Sequence, residues 1–138
     1  MRASDRYEIE IALSDIRDCL SHAQWSWDEN RQSVSARLGQ AEWKQAEKRF
    51  RRVFPLACRS GRQASRIPVA ESIVRLHGGL REGQKIWISD PGRSSGAWAL
   101  WAPWADGENS TLFLGVWSSE DDDDRMLRSS IRRIFGIH

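Results

Sequence analysis

Five of the eight tryptophans in this chain fall between Trp87 and Trp117, in the run KIWISDPGRSSGAWALWAPWADGENSTLFLGVW. So much indole in one stretch must either be buried as a large share of a core or be presented to a partner. The residue order sets the local geometry. Ile86 and Ile88 share a side with Trp87 opposite, the period of two that belongs to a strand. The turn former DPGRSSG follows at 90–96. Beyond it Trp98, Leu100 and Trp104 project one way and Trp101 the other, with Pro103 set to end or bulge the strand. Asp106-Gly107 is a hairpin signal, and Leu112, Leu114 and Val116 then share a face with Phe113 and Trp117 behind it. The run predicts a three-stranded antiparallel meander.

Around this sheet the period lengthens. Ile9, Leu13, Ile16, Leu20 and Ala23 recur at helical spacing, predicting a helix from residue 5 to about 24, with Asp5 and Glu8 as a capping box. Trp25, Trp27, Val34, Ala36 and Leu38 flank the polar stretch DENRQS, and their alternation permits either a helix end or a small hairpin. A second helix is expected over 40–54, with Trp43, Ala46, Phe50 and Val53 or Phe54 inward and Pro55 stopping it. The segment LACRSGRQASR, 56–66, reads as a basic flexible linker. A third helix is expected over about 68–77, opened by Pro68 and closed by Gly78-Gly79. Leu127, Ile131, Ile134 and Phe135 predict a last helix over about 119–135.

The fold class expected is therefore α+β: N-terminal helices, a three-stranded antiparallel meander, and a C-terminal helix packed on the sheet. At 138 residues one domain is expected over 1–138, with a helical part at about 5–77 and the sheet plus last helix at about 84–138. There is no apolar run of about 18 residues and no apolar leader, so the expectation is a cytoplasmic protein that does not contact membrane. Cys19 and Cys58 lack metal-ligand spacing and sit in apolar surroundings, which reads as reduced packing residues; no cofactor or metal is expected.

The net charge of +2 is too small to imply nucleic acid, but its distribution is uneven. Lys44, Lys48, Arg49, Arg51, Arg52, Arg59, Arg62 and Arg66 face Glu47 alone, while Ser94 to Asp124 contains no basic residue. Phosphate contacts need several cations on one face, so Lys44, Lys48, Arg51, Arg52, Arg59, Arg62 and Arg66 form a candidate anion or nucleic-acid surface. No zinc-finger, helix-turn-helix or RNP-like sequence accompanies them. The tetra-aspartate Asp121–Asp124 reads as a helix start, with Ser118 or Ser119 as the cap and Glu120 to Asp123 in the first turn of the last helix, better than as a metal site or nucleic-acid mimic, because adjacent aspartates on a helix point apart. The loop 90–96 could offer Arg93 and two hydroxyls to an anion but lacks Walker spacing.

Catalytic sets are poor. His22, His77 and His138 make no metal pair, Cys58 with His77 imitates a thiol nucleophile only loosely, and G-x-S-x-G and H-E-x-x-H are absent. The sequence reads as a small non-enzymatic adaptor, inhibitor or accessory subunit that docks on a protein partner through Trp87, Trp101, Trp104 and Trp117. The alternative is a nucleic-acid-binding protein using Lys44–Arg66, and a third reading is a small-ligand binder or enzyme. The tryptophans separate the first two. If the protein's own helices cover Trp87, Trp101 and Trp117, the basic segment becomes the leading surface.

Overall fold

The meander expected at 84–118 forms as the centre of a wider sheet. In the computed structural model, which describes residues 1–137, β4 (Lys85–Ile88), β5 (Ser95–Pro103) and β6 (Asn109–Ser118) pair antiparallel. Three further strands extend them: β1 (Ser26–Asp28) and β2 (Ser33–Gly39) on one flank and β3 (Leu56–Cys58) on the other. The order across the six-stranded sheet is β1-β2-β6-β5-β4-β3, antiparallel throughout. The helices are α1 (Ala3–Cys19), α2 (Gln40–Val53), α3 (Gly61–Ala64), α4 (Pro68–Leu76) and α5 (Asp121–Ile134). The α+β class holds, and the sheet is twice as wide as the sequence suggested. His138 lies outside the described residues.

The extra strands have local causes. In β2, Val34, Ala36 and Leu38 are buried while Ser35 and Arg37 point the other way, so the alternation near the first two tryptophans resolves as the β1–β2 hairpin. Its register sets Val34 opposite Leu114 and Ala36 opposite Leu112. The segment 56–66 is a strand and a helical turn instead of a flexible linker. β3 gives the outer side of β4 its hydrogen-bond partners, Cys58 and Ala64 are buried, and Ser60 Oγ accepts from the Gln63 amide at 3.2 Å to start α3.

Two helix starts also differ from expectation. α1 begins at Ala3 after Arg2, and Asp5 and Glu8 form no capping box; a distant arginine, Arg93, claims both. α5 is entered through Glu120, which has no side-chain cap; Ser118 Oγ accepts the Glu120 amide at 3.2 Å.

Helices cover both faces of the sheet. α1, α2 and α5 pack on one, where Leu13, Ile16, Phe50, Leu127 and Ile131 meet Val34, Leu38, Trp87, Leu112 and Leu114. The smaller α3–α4 pair covers part of the other, where Ala64, Ala70 and Ile73 meet Ile86, Ile88, Trp98 and Leu100.

The central strands pair large residues with small ones. Trp98 lies opposite Gly115, Trp117 opposite Gly96, and Trp87 opposite Ala99. The space that a side chain at Gly115 would take is filled by the Trp98 ring, and the space beside Gly96 by the Trp117 ring and Ser89 Oγ. An indole laid over a glycine restores the packing that glycine forfeits in a strand and pins the register. Asp106 turns the β5–β6 hairpin: its Oδ1 accepts from the Glu108 and Asn109 amides, and Gly107 takes φ +72°. The bond from the Asn109 side chain, and then these two amides, hold the Asp106 carboxyl below the usual carboxylate range.

Candidate functional site

The four tryptophans expected at an interface are not brought together on one surface. Trp87 is 4% exposed and lies in the core against Phe50. Trp117 is half-buried on the opposite face, beside α4. Trp101 is half-buried on the α2 side, its ring stacked on Trp43 at 4.7 Å and 10°. Only Trp104 is well exposed, at 44%, with its Nε1 donating to Thr111 Oγ1 at 2.9 Å. The sheet therefore offers no continuous indole surface.

The basic residues fare differently. On α2, Trp43, Ala46 and Phe50 point into the core, and Lys44, Lys48, Arg51 and Arg52 follow at i, i+4, i+7 and i+8 as one outward stripe. The chain then turns through Pro55 into the edge strand β3, and Arg59, Arg62 and Arg66 are exposed at its end and on the α3 turn. Among the described residues, Lys44, Lys48, Arg52, Arg59, Arg62 and Arg66 make no ion pair with a carboxylate, and Arg51 reaches Glu47 only at 3.9 Å. Arg49 lies on the flank of α2 and pairs with Asp15 at 3.3 Å.

Beside the start of this stripe a cavity of about 300 Å³ opens between α2 and the β5–β6 hairpin. Trp43, Lys44, Glu47, Lys85 and Trp101 are on its lining. Lys85 Nζ holds Glu47 at 3.1 Å. The Trp101 Nε1 is buried without a partner among the described residues. Sequence reasoning separated Lys44 from Trp101; the packing of α2 over β5 puts them on one groove, and Lys85 and Trp43 join them unannounced.

Other polar groups answer one another inside the molecule. Arg93, in the turn at 90–96, meets Glu8 at 2.7 Å, Asp5 at 3.1 Å and Asp90 at 3.4 Å, so it staples that turn to α1. Asp122 pairs with Arg125 and Asp124 with Arg128 along α5, whose first turn holds Asp121–Asp124. His77 packs edge-on against Trp98 and Phe113, and its Nδ1 accepts from Arg31 Nε at 3.1 Å. Its proton therefore sits on Nε2, which is buried without a partner among the described residues. Burial, and then the Arg31 guanidinium, push the His77 pKa down to about 4.

Cys58 and His77 are not hydrogen-bonded to each other, and burial pushes the thiols of both cysteines up, away from thiolate character. Among the described residues no cluster of His, Cys, Asp or Glu could hold a metal ion, and no helix is long and apolar enough to cross a membrane. No family model matches the chain, and no curated protein or solved structure matches it either.

Proposed function

We propose that this protein binds an anionic macromolecule, the phosphate backbone of a nucleic acid, on the face formed by α2, the end of β3 and α3. The observation that carries the reading is the run of exposed cations without carboxylate partners among the described residues: Lys44, Lys48, Arg52, Arg59, Arg62 and Arg66. A solvated helix face on a protein with 19 acidic residues tends to interleave both signs. Here Asp5, Glu8, Glu10, Asp15 and Asp18 lie on α1 and Asp121–Asp124 on α5, and the one acid between Lys44 and Arg66, Glu47, is held by Lys85. Clustered Lys and Arg gain affinity from phosphate by releasing condensed counterions. The exposed guanidiniums add bidentate contacts to phosphate oxygens. With Trp87 enclosed and Trp101 stacked on Trp43, the tryptophan sheet has less surface to give a partner than this face does.

Fluorescence anisotropy with a labelled oligonucleotide over a range of salt tests the reading. Log affinity should fall linearly with log salt, by about 0.7–0.9 per phosphate neutralised. A flat salt dependence, or no binding at low salt, would overturn it.

A further inference from the structure

We propose that the groove between α2 and the β5–β6 hairpin accepts an unpaired nucleobase, so that the basic face selects single strands over duplex. The proposal rests on the reading of that face as a phosphate-binding surface. The Trp101 ring is half-buried on the groove lining and held in place: it stacks on Trp43, and Phe50 meets Trp43 edge-on at 5.3 Å. A ring already fixed by its neighbours loses little freedom on binding. Every base has a π face to lay against it, so such a platform tolerates any sequence.

The indole is also an awkward choice for packing alone. Its Nε1–H is buried without a partner among the described residues, a loss that phenylalanine or leucine at 101 would avoid. The groove, at about 300 Å³, stands at the lower bound of ligand cavities.

Charge sets the direction of the strand. Lys44 lies on the groove lining, and Lys48, Arg51 and Arg52 continue its stripe along α2. Two carboxylates share the lining. Glu47 is taken up by Lys85 and Arg51. Glu108, on the hairpin side, has no cation partner among the described residues, so it repels phosphate from that side and directs the backbone toward α2. A base inserted against Trp101 with its phosphates on Lys44 and Lys48 satisfies both constraints. Duplex does this only at the cost of unpairing and unstacking a base, because its bases are held inside the helix.

Anisotropy at one salt concentration should compare a short single strand, its duplex, and the same strand made abasic. The expected result is single-strand binding about ten-fold tighter than either other form. Trp101→Leu, checked for an unchanged melting midpoint, should remove that preference and keep the salt dependence. Should that variant prove unstable, the native protein is tested by photocrosslinking to a strand carrying 5-iodouracil, with adducts mapped by mass spectrometry. Adducts on Trp101 or Trp43 support the groove. Equal affinity for the three forms, or adducts confined to residues 59–66, overturns the groove and leaves the basic face standing. No binding of any form at low salt overturns both.

Discussion

Along α1 and α5 most arginines answer carboxylates; along α2 and around β3 most cations do not, the Arg49–Asp15 pair and the long Arg51–Glu47 contact apart. Arg6 holds Glu10 at 2.8 Å, Arg133 approaches the same carboxylate, and Arg128 holds Asp124 at 2.9 Å. These pairs are half-exposed and individually weak, so their value is mutual neutrality more than stability. The face formed by α2, the end of β3 and α3 leaves Lys48, Arg52, Arg59, Arg62 and Arg66 with no carboxylate partner among the described residues. A chain that can neutralise one set of arginines and leaves another bare has concentrated its field where a partner can use it.

The contrast can be broken most sharply by reversing charge on the bare side. The triple variant Lys48→Glu, Arg52→Glu, Arg62→Glu should lose about 100-fold in nucleic-acid affinity in anisotropy titrations. Its melting midpoint should stay near that of the parent, since all three side chains are exposed. Reversing Arg125 and Arg133 to Glu on the neutralised side is the control. It should change affinity by only a few-fold, and an equal loss would mean that net charge alone, not the face, drives binding.

A packing change separates fold from face. Gly115→Val forces a side chain into the Trp98 ring, and chemical denaturation should show a loss of about 1–3 kcal/mol or more. The fraction that remains folded should keep the salt slope of the parent.

A smaller effect comes from acid. Folded His77 titrates at about 4, well below the ordinary 6.5, so between those values the unfolded chain binds more protons than the folded one. The contribution is complete above pH 6.5 and is lost as pH falls toward 4. With the ring partly open to solvent, it amounts to on the order of 1–2 kcal/mol. Denaturation curves of His77→Phe should lack this slope. Smallest of all, Arg93→Gln should barely move the melting midpoint, because its three carboxylates are reached from the surface.

Local pattern carried the elements whose causes are local. Trp43, Ala46 and Phe50 announced α2, Pro68 and Gly78-Gly79 bracketed α4, and Asp106-Gly107 gave the central hairpin. β3 escaped because three residues between a proline and a serine-rich turn show no period; it exists because β4 has an edge to pair. The capping box at Asp5 and Glu8 did not form because the helix starts at Ala3 with Arg2 as its N-cap, which puts Asp5 inside the first turn; both carboxylates meet Arg93, 88 and 85 residues away. The basic stripe was readable from its i, i+4 spacing. The covering of Trp87 and the meeting of Lys44 with Trp101 were not, because both depend on where α2 lies across the sheet.

The indoles laid over glycines carry a consequence for inheritance. Trp98 and Gly115 belong to different strands, as do Trp117 and Gly96, yet each pair fills one volume. Neither member can drift alone: a larger residue at the glycine collides, and a smaller one at the tryptophan leaves a hole. Descendants of this chain should therefore keep each pair intact or exchange both members together, bulk moving from one strand to the other. The double exchange Trp98→Gly with Gly115→Trp should accordingly recover more stability than the sum of its two single changes allows.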